Sequence, residues 1–224
     1  MELLWLLVNG TFGPDRLRMW ALQELNARGE LKRQQTVEVF LHGKRCSTAF
    51  HATRLNPDFR FGKPLPEKWA RRYAQIVEAG SGARPDWESI AASCFRILRE
   101  VPDYYPARFN YAISLLNLGR MEEAEPVLRQ LVTEQPEYLF ARATLLQLFV
   151  RDNRMEESDA LCHATEMPSE THPAAMVAWM VAQTFYHEKG ARDQEAFECI
   201  RFAHDLAPES PSVANLWPAY ADRE

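Results

Sequence analysis

The sequence predicts a mainly α protein: a short α-solenoid of three to four helical hairpins behind a small N-terminal helix and β-hairpin. Three observations carry this. Glycine is scarce, 9 in 224 residues. From residue 66 onward, apolar residues recur at helical spacing. Within that stretch the sequence repeats itself after 34 residues. Ahead of it the pattern differs in kind. The chain is therefore read as an N-terminal element, 1–65, and a helical repeat domain, 66–224.

The opening Leu3-Leu4-Trp5-Leu6-Leu7-Val8 is apolar for six residues and preceded by Glu2. It is too short to span a membrane and lacks the positive flank of an export signal. It is expected to form a buried first helix. "PDRLRMWALQELNARGEL" is an amphipathic helix with Leu17, Ala21, Leu22 and Leu25 on one stripe. Asp15 is its expected cap and Gly29 its stop. "QQTVEVFLHGKRCSTAFHATRL" reads as a hairpin: Val37, Val39 and Leu41 alternate with Glu38, Phe40 and His42, and His42-Gly43 makes the turn. "NPDFRFGKPLPEK" is a Pro/Gly-punctuated linker.

The repeat is framed by prolines. Pro102 and Pro136 lie 34 residues apart, and Pro208 follows at about two further periods. "PDYYPARFNYAISLLNLGRMEEA" aligns with "PEYLFARATLLQLFVRDNRMEES", so that Gly119-Arg120-Met121 falls on Asn153-Arg154-Met155. Ala112 and Ala124 let two helices cross closely, and Tyr111, Leu115, Leu128 and Leu131 fill the space between them. Gly119 frees the turn and Pro136 stops the second helix. The next unit, Leu139 to about His172, is degenerate, and its second helix is expected to end near Met167-Pro168. A further unit, about Val177 to Ser210, keeps Ala196, Ile200, Ala203 and Pro208, with a turn about one residue longer. A loose unit, about Arg71 to Val101, precedes them; Ile90, Cys94 and Ile97 face inward there and Asp86 caps the helix. The tail "SPSVANLWPAY" is expected to be a capping helix whose Leu216 and Trp217 cover the last unit.

The 34-residue helix–turn–helix period resembles the tetratricopeptide repeat, over Pro66 to Tyr220. The clearest unit, Tyr105 to Tyr138, carries the hallmark positions at Tyr111, Ala112, Leu115, Gly119, Ala124, Leu128, Leu131 and Pro136. A helix plus a two-stranded element ahead of such repeats looks like a group of bacterial repeat proteins. The resemblance implies a curved receptor whose first helices line a concave groove. The residues facing it would be Phe109, Asn110, Ile113 and Leu116 in one unit and Phe140, Thr144, Gln147 and Arg151 in the next. This groove is largely apolar and aromatic. Of the cationic and amide positions by which the family's chaperone-binding members grip carboxylates, only Asn110 fits. An amphipathic helix or an extended apolar segment of a protein partner suits it better. The N-terminal helix or the tail are competing, internal occupants.

Composition narrows the rest. The net charge of -5 excludes a chain-wide cationic surface. Residues 1–60 nevertheless hold nine basic and six acidic residues. Lys32, Arg33, Lys44 and Arg45, on a helix and hairpin resembling half of a winged helix, are the candidate nucleic-acid contacts; only one well-marked helix precedes the hairpin. Catalytic motifs are absent, and the chain is read as no enzyme, with no cofactor and no metal. Cys162-His163 and Cys199 with His204 lack the spacing of zinc ligands. Glu122-Glu123 and Glu156-Glu157 are read as first-turn charges rather than acid–base pairs. Cys46, Cys94, Cys162 and Cys199 are read as reduced thiols in a cytoplasmic protein. Arg108 and Arg142, again 34 apart, are expected to run along a neighbouring unit and pair with a Glu. The function expected is a protein-binding adaptor or scaffold working through the groove around Phe109, Ile113, Phe140 and Gln147. A regulatory subunit or inhibitor of a partner enzyme is the alternative in the same class.

Overall fold

A computed structural model describes residues 2–31, 36–41, 43–49, 53–163 and 167–221, by backbone alone at 16, 23, 27 and 46–49. The described residues are mainly helical, with eleven α-helices and two small two-stranded sheets. They fall into two compact units: Met1–Arg54 with Met167–Ser169, and Leu55–Glu166 with Glu170–Glu224.

The first unit holds α1 (Glu2–Asn9), α2 (Asp15–Ala27), β1 (Thr36–Leu41) and β2 (Lys44–Ala49). Two helices precede the hairpin: the apolar opening forms α1 and the amphipathic stretch forms α2. The strands are antiparallel, from Thr36 opposite Ala49 to Leu41 opposite Lys44, and Gly43 takes φ +75° in the turn. Val37 and Val39 point inward and pack with Leu4, Val8, Ala21, Leu22 and Leu25. The burial of α1 is narrower than expected. Leu4 and Val8 are covered, but Leu3 is 72% and Leu6 61% exposed, since a helix packed on one side buries one stripe. Asp15 is not the cap of α2; Pro14 holds that position, and Asp15 sits in the first turn, 2.9 Å from Arg18. Arg18 is 2% exposed and donates from Nε to the Gly10 carbonyl at 2.9 Å.

The second unit runs through α3 (Glu67–Gly80), α4 (Trp87–Glu100), α5 (Tyr105–Asn117), α6 (Met121–Glu134), α7 (Leu139–Arg151), α8 (Met155–His163), α9 (Pro173–Lys189), α10 (Asp193–Leu206), α11 (Pro211–Leu216) and a 3-10 turn, Trp217–Ala219. Two short strands, β3 (Arg54–Leu55) and β4 (Glu170–Thr171), also pair. Asn56 donates from its backbone to the Thr171 carbonyl at 3.0 Å. Asp86 caps α4 by accepting from the Ser89 N–H. Ile90, Cys94 and Ile97 are buried, as are Ala112, Leu115, Ala124, Leu128 and Leu131. Helix packing joins α4 to α5, α5 to α6, α7 to α9 and α9 to α10. The described part of α8 runs over nine residues, Met155–His163.

Three turns share one geometry. Gly119, Asn153 and Ala191 take φ of +76°, +59° and +52°. Behind each, the next residue's N–H reaches back to a carbonyl five positions earlier: Arg120 to Leu115, Arg154 to Phe149 and Arg192 to His187. These bonds satisfy carbonyls that a helix end leaves open. In the last turn the left-handed residue is Ala191, not Gly190. Arg108 pairs with a Glu, but with Glu134 of its own hairpin rather than along a neighbouring unit. Arg142 is instead fully buried, its guanidinium 4.4 Å from the Trp179 ring centre, because α9 packs over α7. That burial pulls its pKa down to about 10. The tail packs against α9 and α10, but Val213 and Tyr220 are its fully buried members, while Leu216 and Trp217 are half-buried.

Candidate functional site

Helical spacing on α3 puts Tyr73, Ile76, Val77 and Gly80 on one face. On α5 it does the same for Phe109, Asn110 and Ile113. These faces, with Trp87 and Ile90 from α4 and Tyr138 and Phe140 from the start of α7, enclose a groove of about 340 Å³. No charged side chain lines it.

Aromatic rings form its floor. Phe109 and Phe140 are 5.9 Å apart at 30°, and Tyr138 stands edge-on to Phe109 at 5.6 Å. Phe61 buttresses them from behind, 4.7 Å from Tyr138 and 5.8 Å from Phe140. Such edge-to-face contacts add about 0.5–1.5 kcal/mol per pair beyond area burial, which fixes the rings before anything binds. Two of the polar side chains are matched within the groove: Asn110 Nδ2 donates to the Tyr73 hydroxyl at 2.8 Å. Burial, with Tyr138 and Tyr104 nearby, pushes the Tyr73 phenol well above its ordinary range, and burial does the same to Tyr138. Both stay uncharged, and the groove offers an apolar, aromatic surface with one amide at its edge.

Four of the eight expected groove residues meet here: Phe109, Asn110, Ile113 and Phe140. Leu116 instead packs half-buried with the core of α5 and α6. Thr144 donates its hydroxyl to the Phe140 carbonyl at 3.0 Å. Gln147 is exposed, and Arg151 is exposed beside Asp152 at 2.8 Å. These three do not line the groove. Lys44 and Arg45 are exposed at the hairpin tip, where Arg45 lies 3.8 Å from Glu38. Lys32 and Arg33 lie outside the described residues. The α3 contribution was missed. Its signal was the run Trp69, Tyr73, Ile76, Val77 and Gly80 at helical spacing in the loose first unit.

Among the described residues no group of three or more His, Cys, Asp or Glu could hold a metal. Cys199 lies 3.9 Å from the Gln183 side chain, and His204 stacks on Trp217 at 4.1 Å. Glu123 pairs with Arg120 at 2.7 Å. Glu157 is held by Arg154 and Arg129, which lower its pKa to about 2. Among the described residues no helix is long and apolar enough to cross a membrane. Compared with protein families, curated proteins and solved structures, the chain matches no family model, no curated protein and no solved structure.

Proposed function

We propose that this chain is a non-enzymatic adaptor, a short solenoid of tetratricopeptide-like hairpins that holds an apolar segment of a protein partner against Phe109, Ile113 and Phe140. One observation carries the reading: the groove is walled by aromatic and aliphatic side chains and bears no charge. An uncharged, mainly apolar surface of this kind grips by excluding water. The preset rings reduce the ordering cost on binding. Each large apolar side chain buried there contributes about 1.5–3 kcal/mol. Two such anchors supply about 3–6 kcal/mol, less than the roughly 8 kcal/mol of micromolar binding, so the segment must make further contacts along the unit. The repeated turns at Gly119, Asn153 and Ala191 support the solenoid part of the reading. The tail is spoken for elsewhere, against α9 and α10.

Val77 lines the groove and is 46% exposed, so Val77→Glu adds charge without emptying the core. Paired with Ile113→Glu, it should abolish capture of partners from the native cell while helix content by circular dichroism stays unchanged. A partner retained by both variants sits elsewhere, and the groove reading is then wrong.

A further inference from the structure

We infer that a second cavity of the same unit is a binding site for a small organic anion with an aromatic or apolar body. The cavity encloses about 690 Å³, within the range of roughly 300–1,000 Å³ usual for small-molecule sites. Its walls are mainly apolar, built from Phe59 and Phe61 of the loop before α3, Tyr104 before α5, and Phe140 at the start of α7. Phe59 and Phe61 stand edge to face at 5.0 Å, so the loop presents a formed aromatic surface. Gly62 gives that loop its bend at φ +79°, and a Cβ there would come within 3.4 Å of the Tyr105 ring. Any other residue would strain the fold of the loop over the cavity.

The charge at this cavity has one sign. Arg60 and Lys63 line it, and no carboxylate does. In a chain of net charge -5 this is a local reversal. Among the described residues Lys63 has no hydrogen bond or ion pair. Arg60 reaches only two carbonyls of its own loop, Pro57 and Phe59, each at 3.4 Å. Both cations are thus free to meet a ligand. His172 adds a third polar group: its Nδ1 accepts from the Ala174 N–H at 3.1 Å, which leaves Nε2 as the remaining polar atom. Flat apolar walls with cations at the edge select a molecule that is itself divided, a ring body with a carboxylate, sulfonate or phosphate head. The neighbouring groove, with no charged lining residue, makes no such selection. The two sites share Phe140, but Val77 does not line the cavity, so Val77→Glu should leave anion binding untouched.

Two dyes that share a ring body test it: 8-anilinonaphthalene-1-sulfonate and the uncharged N-phenyl-1-naphthylamine. Both are titrated by fluorescence against the full chain. Arg60→Glu with Lys63→Glu reverses charge at exposed positions, and Ala174→Trp fills the cavity from an exposed position. The sulfonate should bind saturably, weaken about tenfold on double charge reversal and be lost in Ala174→Trp. The uncharged dye should be lost in Ala174→Trp but change less than about twofold on charge reversal. Equal responses of the two dyes to charge reversal would overturn the anion assignment. Sulfonate binding that survives Ala174→Trp, with native circular dichroism, would overturn the site. If Ala174→Trp does not fold, the charge-reversal comparison decides alone.

Discussion

The side-chain amide of Asn110 donates to the hydroxyl of Tyr73 across 2.8 Å, tying α5 to α3 at the edge of the aromatic groove. Thirty-seven residues separate the two in sequence. Removing the hydroxyl leaves a partly buried amide donor without its acceptor, which costs about 1–2 kcal/mol. Tyr73→Phe should therefore lower stability by that amount in urea unfolding. Tyr73→Phe with Asn110→Leu should recover most of it, because no orphan donor remains. A double-mutant cycle with zero coupling would show that the bond is not formed.

Alkali should unfold this protein early. Burial holds the phenols of Tyr73, Tyr138 and Tyr104 above their ordinary value near 10. The unfolded chain releases those protons first, so it is the state favoured as pH rises. Their contribution is complete below pH of about 10 and declines above it. The urea midpoint should fall steeply between about pH 10 and 12. Absorbance at 295 nm should show these phenols ionising only as the fold is lost. Tyr73→Phe should flatten the decline.

Ala191 occupies a left-handed conformation, φ +52°, where its counterpart Gly119 has no Cβ to strain. For an L residue that conformation costs about 1–2 kcal/mol. Glycine removes the strain but adds freedom to the unfolded chain, so the net gain is about 0.5–1 kcal/mol. Ala191→Gly should raise Tm by about 1–4 °C. Asn153→Gly should gain less, since Asn tolerates the left-handed region.

Much of this fold was legible because its determinants are local. Helical spacing marked Leu115, Leu128, Ile97 and Ile200 as core, and all four are fully buried. The 34-residue offset from Gly119 to Asn153 marked two turns that adopt the same bond pattern. What periodicity could not supply was which helix covers which. Gln147 and Arg151 are exposed on α7 but do not line the groove that α3 closes, while α9 packs on another side of α7 and buries Arg142. The groove was half found for the same reason: Phe109, Asn110 and Ile113 share a local pattern, whereas Tyr73 and Val77 reach them only through tertiary packing. The cavity around Arg60 and Lys63 left no signal, because a Pro/Gly linker has no period to read.

The tail supplies a test of the solenoid reading itself. Val213 and Tyr220 are buried against Val177, Val181, Phe197 and Ile200, and Trp217 stacks on His204 with the rings 4.1 Å apart and inclined by 15°. The Tyr220 hydroxyl also donates to the Glu188 carboxylate. Tyr220→Ala removes a large buried ring, which costs about 3–5 kcal/mol where the surroundings do not collapse. In a stack of units that touch only their neighbours, that loss stays close to where it is made. Hydrogen exchange should therefore show α9 and α10 losing protection strongly, with α4 and α5 changed little. A single core would behave differently, because unfolding would then be all-or-none and every helix would lose the same protection. Uniform loss from α4 to α10 would mean that these helices fold as one cooperative body, and the solenoid reading would fall.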